Sequence, residues 1–448
     1  MRARRVLVSA LLAIVPTAIA APAALAGPLE IDAIQADALH RYGVDGSGVT
    51  VAVIDSGVEP LPQLHGALVA QVNFSDGPSL GDQYGHGTFV AGLVHEAAPG
   101  ARILSLKLSN ADGAVDVAQV IAALQWLAQH GDEWSVDVVN LSFGTDSTQS
   151  PASSPLNFAV QRVWDAGMVV VTSAGNVETS EGRVTKPGDD PLVVTVGASD
   201  ARGSSERWDD VVAPFSAQGP TAAGIAKPDV VAPGRSVTSL RAPGSTIDLE
   251  HPEARMSETA FRGSGTSFAT PLVSGAAALL LQVRPGLHPD QVKHALRETA
   301  QPISGPSQAQ GTGTVRATRA AWVAATTTVG RANRSVTRSD GRGSMRGARG
   351  RARAMFRLQS TTTTTAPATT TTTLSTTSST TTTTLEPEVA LTVDQLDPIA
   401  FDVDASWDAS RWGASRWGAS RWGASRWGAI EWASGIDGDI EFWASRWG

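Results

Sequence analysis

The 448-residue sequence contains no cysteine, so it can form neither a disulfide framework nor a thiol-based catalytic site. Any nucleophilic side chain must therefore present oxygen or nitrogen. The net charge is only −8, which gives no reason to expect that the whole chain binds nucleic acid. After residue 27 the sequence also lacks an uninterrupted apolar run long enough to span a bilayer, so we expect no transmembrane span in the mature chain.

The first 26 residues have the pattern of a secretory signal peptide. Arginines precede an apolar stretch, and Ala24-Leu25-Ala26 fits the small-x-small cleavage pattern before Gly27. A transmembrane anchor is the alternative, but Pro16 interrupts the apolar run and small residues follow it. The sequence therefore predicts a secreted chain that starts at Gly27 and is either free in the extracellular space or associated with the cell surface.

Residues 27–328 are predicted to form one α/β domain. Nearly continuous apolar runs, typical of parallel strands covered on both faces, alternate with segments of helical spacing. The predicted strands are 49–54, 102–108, 136–143, 168–173 and 192–199, and the predicted helices include 114–130 and 156–167. This alternation predicts a mostly parallel sheet with helices on both faces and right-handed crossovers.

The composition changes after residue 328. An arginine-rich stretch without apolar periodicity is followed by a stretch of mostly threonine, so residues 329–385 are predicted to be a disordered linker. The tail, residues 386–448, starts acidic and then repeats ASRWG with a period of five, which aligns Trp412, Trp417, Trp422 and Trp427. We predict that this Trp-repeat tail binds a cell-surface polymer. The alternative is a disordered tail that is removed during maturation.

Four polar residues stand at positions suited to chemistry. Asp55 follows an apolar strand in VAVIDSGV, and His86 lies between two glycines at the start of a helical pattern in GHGTFVAG. Asn176 follows a strand in VVVTSAGN, and Ser267 begins an apolar helix in GTSFATPLVSG. Strand ends of a parallel sheet meet at one edge, and a carboxylate, an imidazole, an amide and a hydroxyl together suit nucleophilic attack by serine. Singly, each has an ordinary structural reading, such as a helix N-cap for Ser267.

The order Asp, His, Ser along the chain differs from the order in α/β-hydrolases and in chymotrypsin-type enzymes. On its three ordered motifs, the sequence resembles the subtilisin-like serine peptidases (subtilases) over about residues 30–325. The resemblance implies a mostly parallel sheet flanked by helices. It also implies a secreted serine endopeptidase that hydrolyses protein or peptide substrates through an acyl-enzyme intermediate.

The same resemblance implies a role for individual residues. The catalytic triad would be Asp55, His86 and Ser267, and Asn176 would form the oxyanion hole with the Ser267 backbone N–H. The substrate cleft would be lined by Ser142, Phe143 and Gly144, whose backbone would pair with an extended peptide. Because the segments NLSFG and TSAGNV contain no acidic residue, we expect an apolar or aromatic side chain at P1, the substrate residue before the scissile bond.

Some features depart from the family pattern. Phe89 and Phe268 stand where a histidine and a methionine are common, beside the catalytic positions. Many secreted members carry an N-terminal propeptide, for which we expect no room between the signal peptide and the domain. A catalytically inactive binding protein with the same fold is therefore the alternative function. The sequence assigns no cofactor, and a structural calcium ion, frequent in the family, is left open because no compact Asp/Asn cluster indicates one.

Overall fold

The structure, a computed structural model, describes residues 29–176, 183–204, 208–333 and 335–350, and the backbone of a strand at 389–392. The predicted signal peptide, the threonine-rich stretch and the tryptophan repeats lie outside these residues.

Nine of the eleven described strands form one sheet at the centre of the domain. In chain order the strands are β1 (Thr50–Asp55), β2 (Leu68–Asn73), β3 (Arg102–Lys107), β4 (Val136–Leu141), β5 (Val169–Ser173), β6 (Val194–Asp200), β7 (Val211–Val212), β8 (Val230–Pro233), β9 (Val237–Leu240), β10 (Ala260–Gly263) and β11 (Val389–Thr392). Their order across the sheet is β11-β2-β3-β1-β4-β5-β6-β7, with β8 also paired to β6. All pairs are parallel except β6–β7, and β9 and β10 form a separate antiparallel pair.

Six of the α-helices in the described residues pack in two groups of three. In chain order the helices are α1 (Leu29–Ala33), α2 (Ala36–His40), α3 (His86–Ala97), α4 (Val117–His130), α5 (Pro155–Asp165), α6 (Thr246–Glu250), α7 (Thr266–Val283), α8 (Pro289–Thr299), α9 (Ser307–Gln310), α10 (Ala317–Thr326) and α11 (Met345–Ala348). One group contains α3, α7 and α10, and the other contains α4, α5 and α11.

The predicted sheet with flanking helices is confirmed. The five predicted strands correspond to β1, β3, β4, β5 and β6, and the two predicted helices correspond to α4 and α5. The sequence analysis missed β2, because Gln71 and Asn73 interrupt its apolar run. Both polar side chains are nevertheless buried, and the Asn73 side chain donates a hydrogen bond to the carbonyl of Gly77 at 2.6 Å.

Helix α7 is the core helix of the domain. Among the described residues it is the one helix long and apolar enough to cross a membrane, with a mean hydropathy of 1.4, but 89% of it is buried inside the protein. It packs against α3 so closely that a Cβ atom on Gly275 would lie 2.4 Å from the Cβ of Ala97. Burial by sheet and helices therefore accounts for its apolar composition.

Residues 329–333 and 335–350, here called the C-terminal strap, correct the prediction that a disordered linker begins at residue 329. The strap packs across α5 and reaches the start of α4, and two of its arginines have acidic partners there. Arg338 pairs with Asp165 at 2.9 Å, and Arg349 makes two hydrogen bonds to Asp116 at 2.8 and 2.9 Å. The composition of the segment did not reveal these partners, because they lie in distant parts of the sequence.

Candidate active site

Asp55 and His86 form a buried hydrogen-bonded pair. Asp55 is the last residue of β1 and His86 is the first residue of α3, and the two side chains are fully buried. Oδ1 of Asp55 lies 2.7 Å from Nδ1 of His86 and also accepts the backbone N–H of Ser56 at 2.7 Å. The carboxylate therefore fixes the orientation of the imidazole ring.

The electrostatics of Asp55 reflect two opposing effects. Burial raises the pKa of this carboxyl above its ordinary value, because removal from water disfavours the charged form. The charge and hydrogen bond of His86 and the Ser56 N–H act in the opposite direction, and the nearby Asp82 raises the pKa further. A positive charge that develops on His86 would therefore stabilise the ionised carboxylate.

Two glycines allow α3 to start at this point. Gly85, which precedes His86, has a φ of 107°, a left-handed conformation that favours glycine. A Cβ atom on Gly87 would lie 2.0 Å from the carbonyl oxygen of Gly57. Any larger residue would push α3 away from the turn after β1, so the Gly-His-Gly pattern is explained by the close approach of the two elements.

Ser267 is the second residue of α7 and is linked to the residues after β4. Its carbonyl would normally accept the N–H of residue 271, but Pro271 has no N–H. The hydroxyl of Ser142 donates to this carbonyl instead, at 2.8 Å, and the Ser267 hydroxyl lies 3.5 Å from the carbonyl oxygen of Ser142. The proline thus frees an acceptor that anchors the start of α7 to the predicted substrate cleft.

Asn176 contacts the residue before Ser267. Its side-chain oxygen accepts hydrogen bonds from both the backbone N–H and the hydroxyl of Thr266, each at 2.8 Å. The Thr266 hydroxyl also accepts the backbone N–H of Gly175 at 3.2 Å. Since an amide group is planar, these bonds fix the orientation of the amide nitrogen, the hydrogen-bond donor that an oxyanion hole needs.

The two unusual phenylalanines pack together beside the imidazole. The ring centroid of Phe268 lies 5.4 Å from that of His86 and 4.3 Å from that of Phe89. The two residues that depart from the expected family pattern are therefore in contact with each other. The pair supplies an apolar wall to the histidine.

The predicted cleft residues lie directly after β4. Ser142 and Phe143 are buried, with Phe143 only 1% exposed, whereas Gly144 is half-buried. The Phe143 ring therefore packs into the core, and its backbone is the part suited to peptide binding. The sequence analysis missed Thr185, which lies between Gly144 and Gly175: a Cβ on either glycine would come within 2.7 Å of the Thr185 side chain.

Asp82 is a second residue that the sequence analysis missed. One of its carboxylate oxygens accepts the hydroxyl of Ser56 at 2.8 Å, and the other accepts the N–H and hydroxyl of Thr88, both at 2.7 Å. Asp82 thereby joins the turn after Asp55 to the first turn of α3. Its position four residues before His86, next to a helix start, was the available sequence signal.

In the part of the chain that the structure describes, no three His, Asp or Glu side chains form a group that could hold a metal ion.

Comparison with known proteins gives a family match that contains this site, and several related proteins. A family model described as the Subtilase family matches residues 46–313. The serine protease AprX of Bacillus subtilis (strain 168) is 38% identical over 271 residues, which cover 56% of this chain and 61% of AprX. Subtilisin Savinase of Lederbergia lenta is 34% identical over 300 residues, which cover 65% of this chain and 97% of Savinase.

Among solved structures, the chain is similar to fervidolysin from Fervidobacterium pennivorans, which is described as a keratinolytic enzyme related to subtilisin. The TM-score is 0.54 at 27% sequence identity, and the match covers 65% of this chain and 45% of fervidolysin. The chain thus spans nearly all of Savinase, but less than two thirds of AprX and less than half of fervidolysin. The family match ends at residue 313, before the C-terminal strap.

Proposed function

The chain belongs to the subtilase family of serine peptidases, and on this premise we propose that it is an active endopeptidase with Asp55, His86 and Ser267 as its catalytic triad. The observation that carries the proposal is the buried hydrogen bond of 2.7 Å between Asp55 and His86. The pair lies beside the start of α7, where Ser267 is the second residue and the Phe268 ring lies 5.4 Å from the His86 ring. A binding protein that had lost catalysis would have no need to keep this pair intact.

Acylation begins with an extended peptide lying along residues 142–144. The hydroxyl oxygen of Ser267 attacks the scissile carbonyl carbon, and Nε2 of His86 takes the hydroxyl proton. Asp55 accepts the Nδ1 hydrogen bond, which orients the ring and stabilises the imidazolium. The negative charge on the former carbonyl oxygen is stabilised by the side-chain amide of Asn176 and the backbone N–H of Ser267.

The tetrahedral intermediate then collapses. His86 gives its proton to the departing amine, the C–N bond breaks, and Ser267 keeps the acyl group as an ester. In the second half of the reaction His86 takes a proton from water, whose oxygen attacks the ester. Collapse of the second intermediate releases a carboxylic acid and returns the proton to Ser267.

The residues around Thr185 support an apolar P1 preference. Thr185 lies between Gly144 and Gly175, so its methyl and hydroxyl groups would face a side chain inserted between these glycines. The next residue, Lys186, is buried and directs its ammonium group to Asp189 and Asn157. Lys186 and Asp189 therefore neutralise each other, so neither charge is available to select a charged P1 residue.

The proposal extends to location. A signal peptide at residues 1–26 would send the enzyme out of the cell, and the Trp-repeat tail at 386–448 would hold it on a cell-surface polymer. Substrates would then be extracellular proteins or peptides.

Labelling with a fluorophosphonate probe tests the function directly, because the probe reacts with an activated serine hydroxyl. We expect the purified chain to be labelled on Ser267, and the label to be lost in Ser267→Ala and His86→Ala. A folded chain that neither reacts with the probe nor cleaves denatured casein would support the inactive binding protein instead.

A further inference from the structure

The loops after β3 and β4 flank the catalytic strand. Because β1 lies between β3 and β4 in the sheet, Asp55 has one loop on each side. The loop after β3 runs to Asp116, the N-cap of α4, whose side chain accepts the N–H of Ala118 at 2.7 Å. The loop after β4 contains the cleft residues 142–144 and continues through residues 145–154 to α5. In an open parallel sheet, a ligand binds between such loops.

The end of the C-terminal strap is bonded to both loops. The Arg349 guanidinium binds Asp116 through two hydrogen bonds, and both side chains are mostly buried. On the other loop, the hydroxyl of Thr145 donates to the carbonyl of Ala348 at 3.0 Å, and the hydroxyl of Ser147 donates to the carbonyl of Gly347 at 2.6 Å. Three consecutive strap residues therefore bridge the two sides of the cleft.

The bridge lies close to the cleft residues themselves. Thr145, which follows Gly144, exchanges two backbone hydrogen bonds of 2.9 Å with Lys186, next to the pocket residue Thr185. Its side chain binds the strap while its backbone joins the two pocket segments. At the strap end, Gly350 has a φ of 70° and lies so close to Asp146 that a Cβ atom there would come within 2.1 Å of its carboxylate.

We propose that the C-terminal strap forms the outer boundary of the peptide cleft, and that Arg349 is a positioning residue that holds the loop after β3 in a fixed position relative to the loop after β4. The inference rests on the proposed peptidase function. The strap is bonded to the two loops and to α5, and we expect it to act on binding of the substrate residues remote from the scissile bond. The ligand concerned is an extended peptide, because the strap is bonded to Thr145 and Ser147, which directly follow the residues along which such a peptide would lie.

The test compares an extended internally quenched peptide with a minimal ester that carries a single amino acid. For Arg349→Ala we expect KM for the extended peptide to rise about three- to tenfold, the effect of losing a partly buried bidentate pair, with kcat within about twofold of the parent value. The kinetic constants for the minimal ester should not change.

Two matched controls separate positioning from general stabilisation. Arg338→Ala removes the other arginine pair of the strap, at Asp165 on α5, and should leave both substrates unaffected. Asp116→Asn keeps a side-chain oxygen for the α4 cap but removes the charge, so Arg349→Ala should have little further effect in this background. A chain that ends at Gly350 should behave as the full chain, whereas one that ends at Thr328 should show the raised KM.

The outcomes are distinct. An unchanged KM for the extended peptide in Arg349→Ala overturns the inference, and so does an equal loss of activity on both substrates, which would mark the strap as a stabilising element only. If the chain that ends at Thr328 does not fold, the kinetic constants of Arg349→Ala, Arg338→Ala and Asp116→Asn still test the inference. If the parent chain itself cleaves neither substrate and resists the fluorophosphonate probe, the proposed function fails, and this inference fails with it.

Discussion

Ser142 and Ser267 face each other across the site, each with its hydroxyl directed to the other's carbonyl oxygen, at 2.8 and 3.5 Å. The shorter contact holds the backbone of Ser267, and the longer one leaves its hydroxyl only weakly held. A nucleophile needs this combination, because the backbone must be fixed while the hydroxyl turns to donate its proton to a base. The absent N–H of Pro271 makes the arrangement possible.

The first prediction is that Ser267→Ala abolishes peptide hydrolysis without unfolding the domain. The variant loses one hydroxyl with a long hydrogen bond, so its melting temperature should stay within about 2 °C of the parent value. Ser105→Ala is the matched control, since Ser105 is another buried serine, on the central strand β3, and should retain full activity. Hydrolysis at the parent rate in purified Ser267→Ala would refute the mechanism.

The second prediction concerns Asn176. Replacement by alanine should lower kcat by about 10²- to 10³-fold with little change in KM, the range known for loss of one oxyanion-hole donor in subtilisin itself. Thr266→Ser keeps both hydrogen bonds to the Asn176 oxygen and should stay close to the parent rate. Steady-state kinetics on one peptide substrate decide the point. A raised KM with kcat intact would show that Asn176 binds substrate instead.

The third prediction concerns the P1 pocket. Cleavage-site profiling on a mixed peptide library should give mainly apolar or aromatic P1 residues. Thr185→Gly removes the side chain between Gly144 and Gly175 and should raise kcat/KM for a large aromatic P1 residue relative to alanine by roughly tenfold. Mainly basic P1 residues in the parent profile, or an unchanged ratio in Thr185→Gly, would place the pocket elsewhere.

Much of this site could be predicted from the sequence because local patterns encode it. Asp55 ends an apolar strand, and Gly85 and Gly87 mark the close approach at His86, so strand and helix signals placed both residues at one sheet edge. The sequence analysis missed Thr185 because no strand end or helix start in the sequence marks its position. Thr185 reaches the site because the next residue, Lys186, pairs with Thr145, which is distant in the sequence.

The strap shows the same limit on a larger scale. Its composition is that of a disordered segment, and no apolar period runs through it. Its order comes from single contacts with distant residues, such as Arg349 with Asp116 and Ser339 with Ser154, whose carbonyl accepts the Ser339 hydroxyl at 2.8 Å. Composition is an average over neighbouring residues, so it cannot reveal contacts between residues about two hundred positions apart in the sequence.

The fourth prediction is a pH dependence of stability that arises from Glu96. Burial, reinforced by the charge of Glu30, raises the pKa of this carboxyl from 4.5 to about 8. The folded state therefore keeps a proton that the unfolded chain has lost, so the free energy of unfolding falls as the pH rises from 4.5 to about 8. Above that range the folded state carries a charge at the partly buried Glu96.

Glu96→Gln removes this titration. Its melting temperature should exceed that of the parent chain by a few degrees at pH 9 and differ little at pH 5. Glu298→Gln is the control, because Glu298 is exposed, and its effect should be the same at both pH values. Differential scanning calorimetry of the three proteins checks the prediction. Equal melting temperatures for Glu96→Gln and the parent at pH 9 would contradict it.

The fifth prediction concerns the Trp-repeat tail, residues 386–448. Its period of five matches neither a helix nor a strand, because successive tryptophans would rotate by about 140° on a helix and would alternate faces on a strand. The glycine in every repeat also disfavours a helix. A regular turn in each repeat would place the tryptophans on one side, with arginines beside them, as a surface for glycans or acidic polymers.

We therefore expect the full chain, carrying Ser267→Ala to prevent self-cleavage, to sediment with isolated cell-envelope material. Replacement of Trp412, Trp417, Trp422 and Trp427 together by alanine should leave it in the supernatant, because the aromatic faces supply the contact. The control replaces the serine of each of these repeats, Ser410, Ser415, Ser420 and Ser425, by alanine and should still sediment. If the unaltered tail does not bring the chain down at any salt concentration, attachment is wrong and a tail removed during maturation becomes the better account.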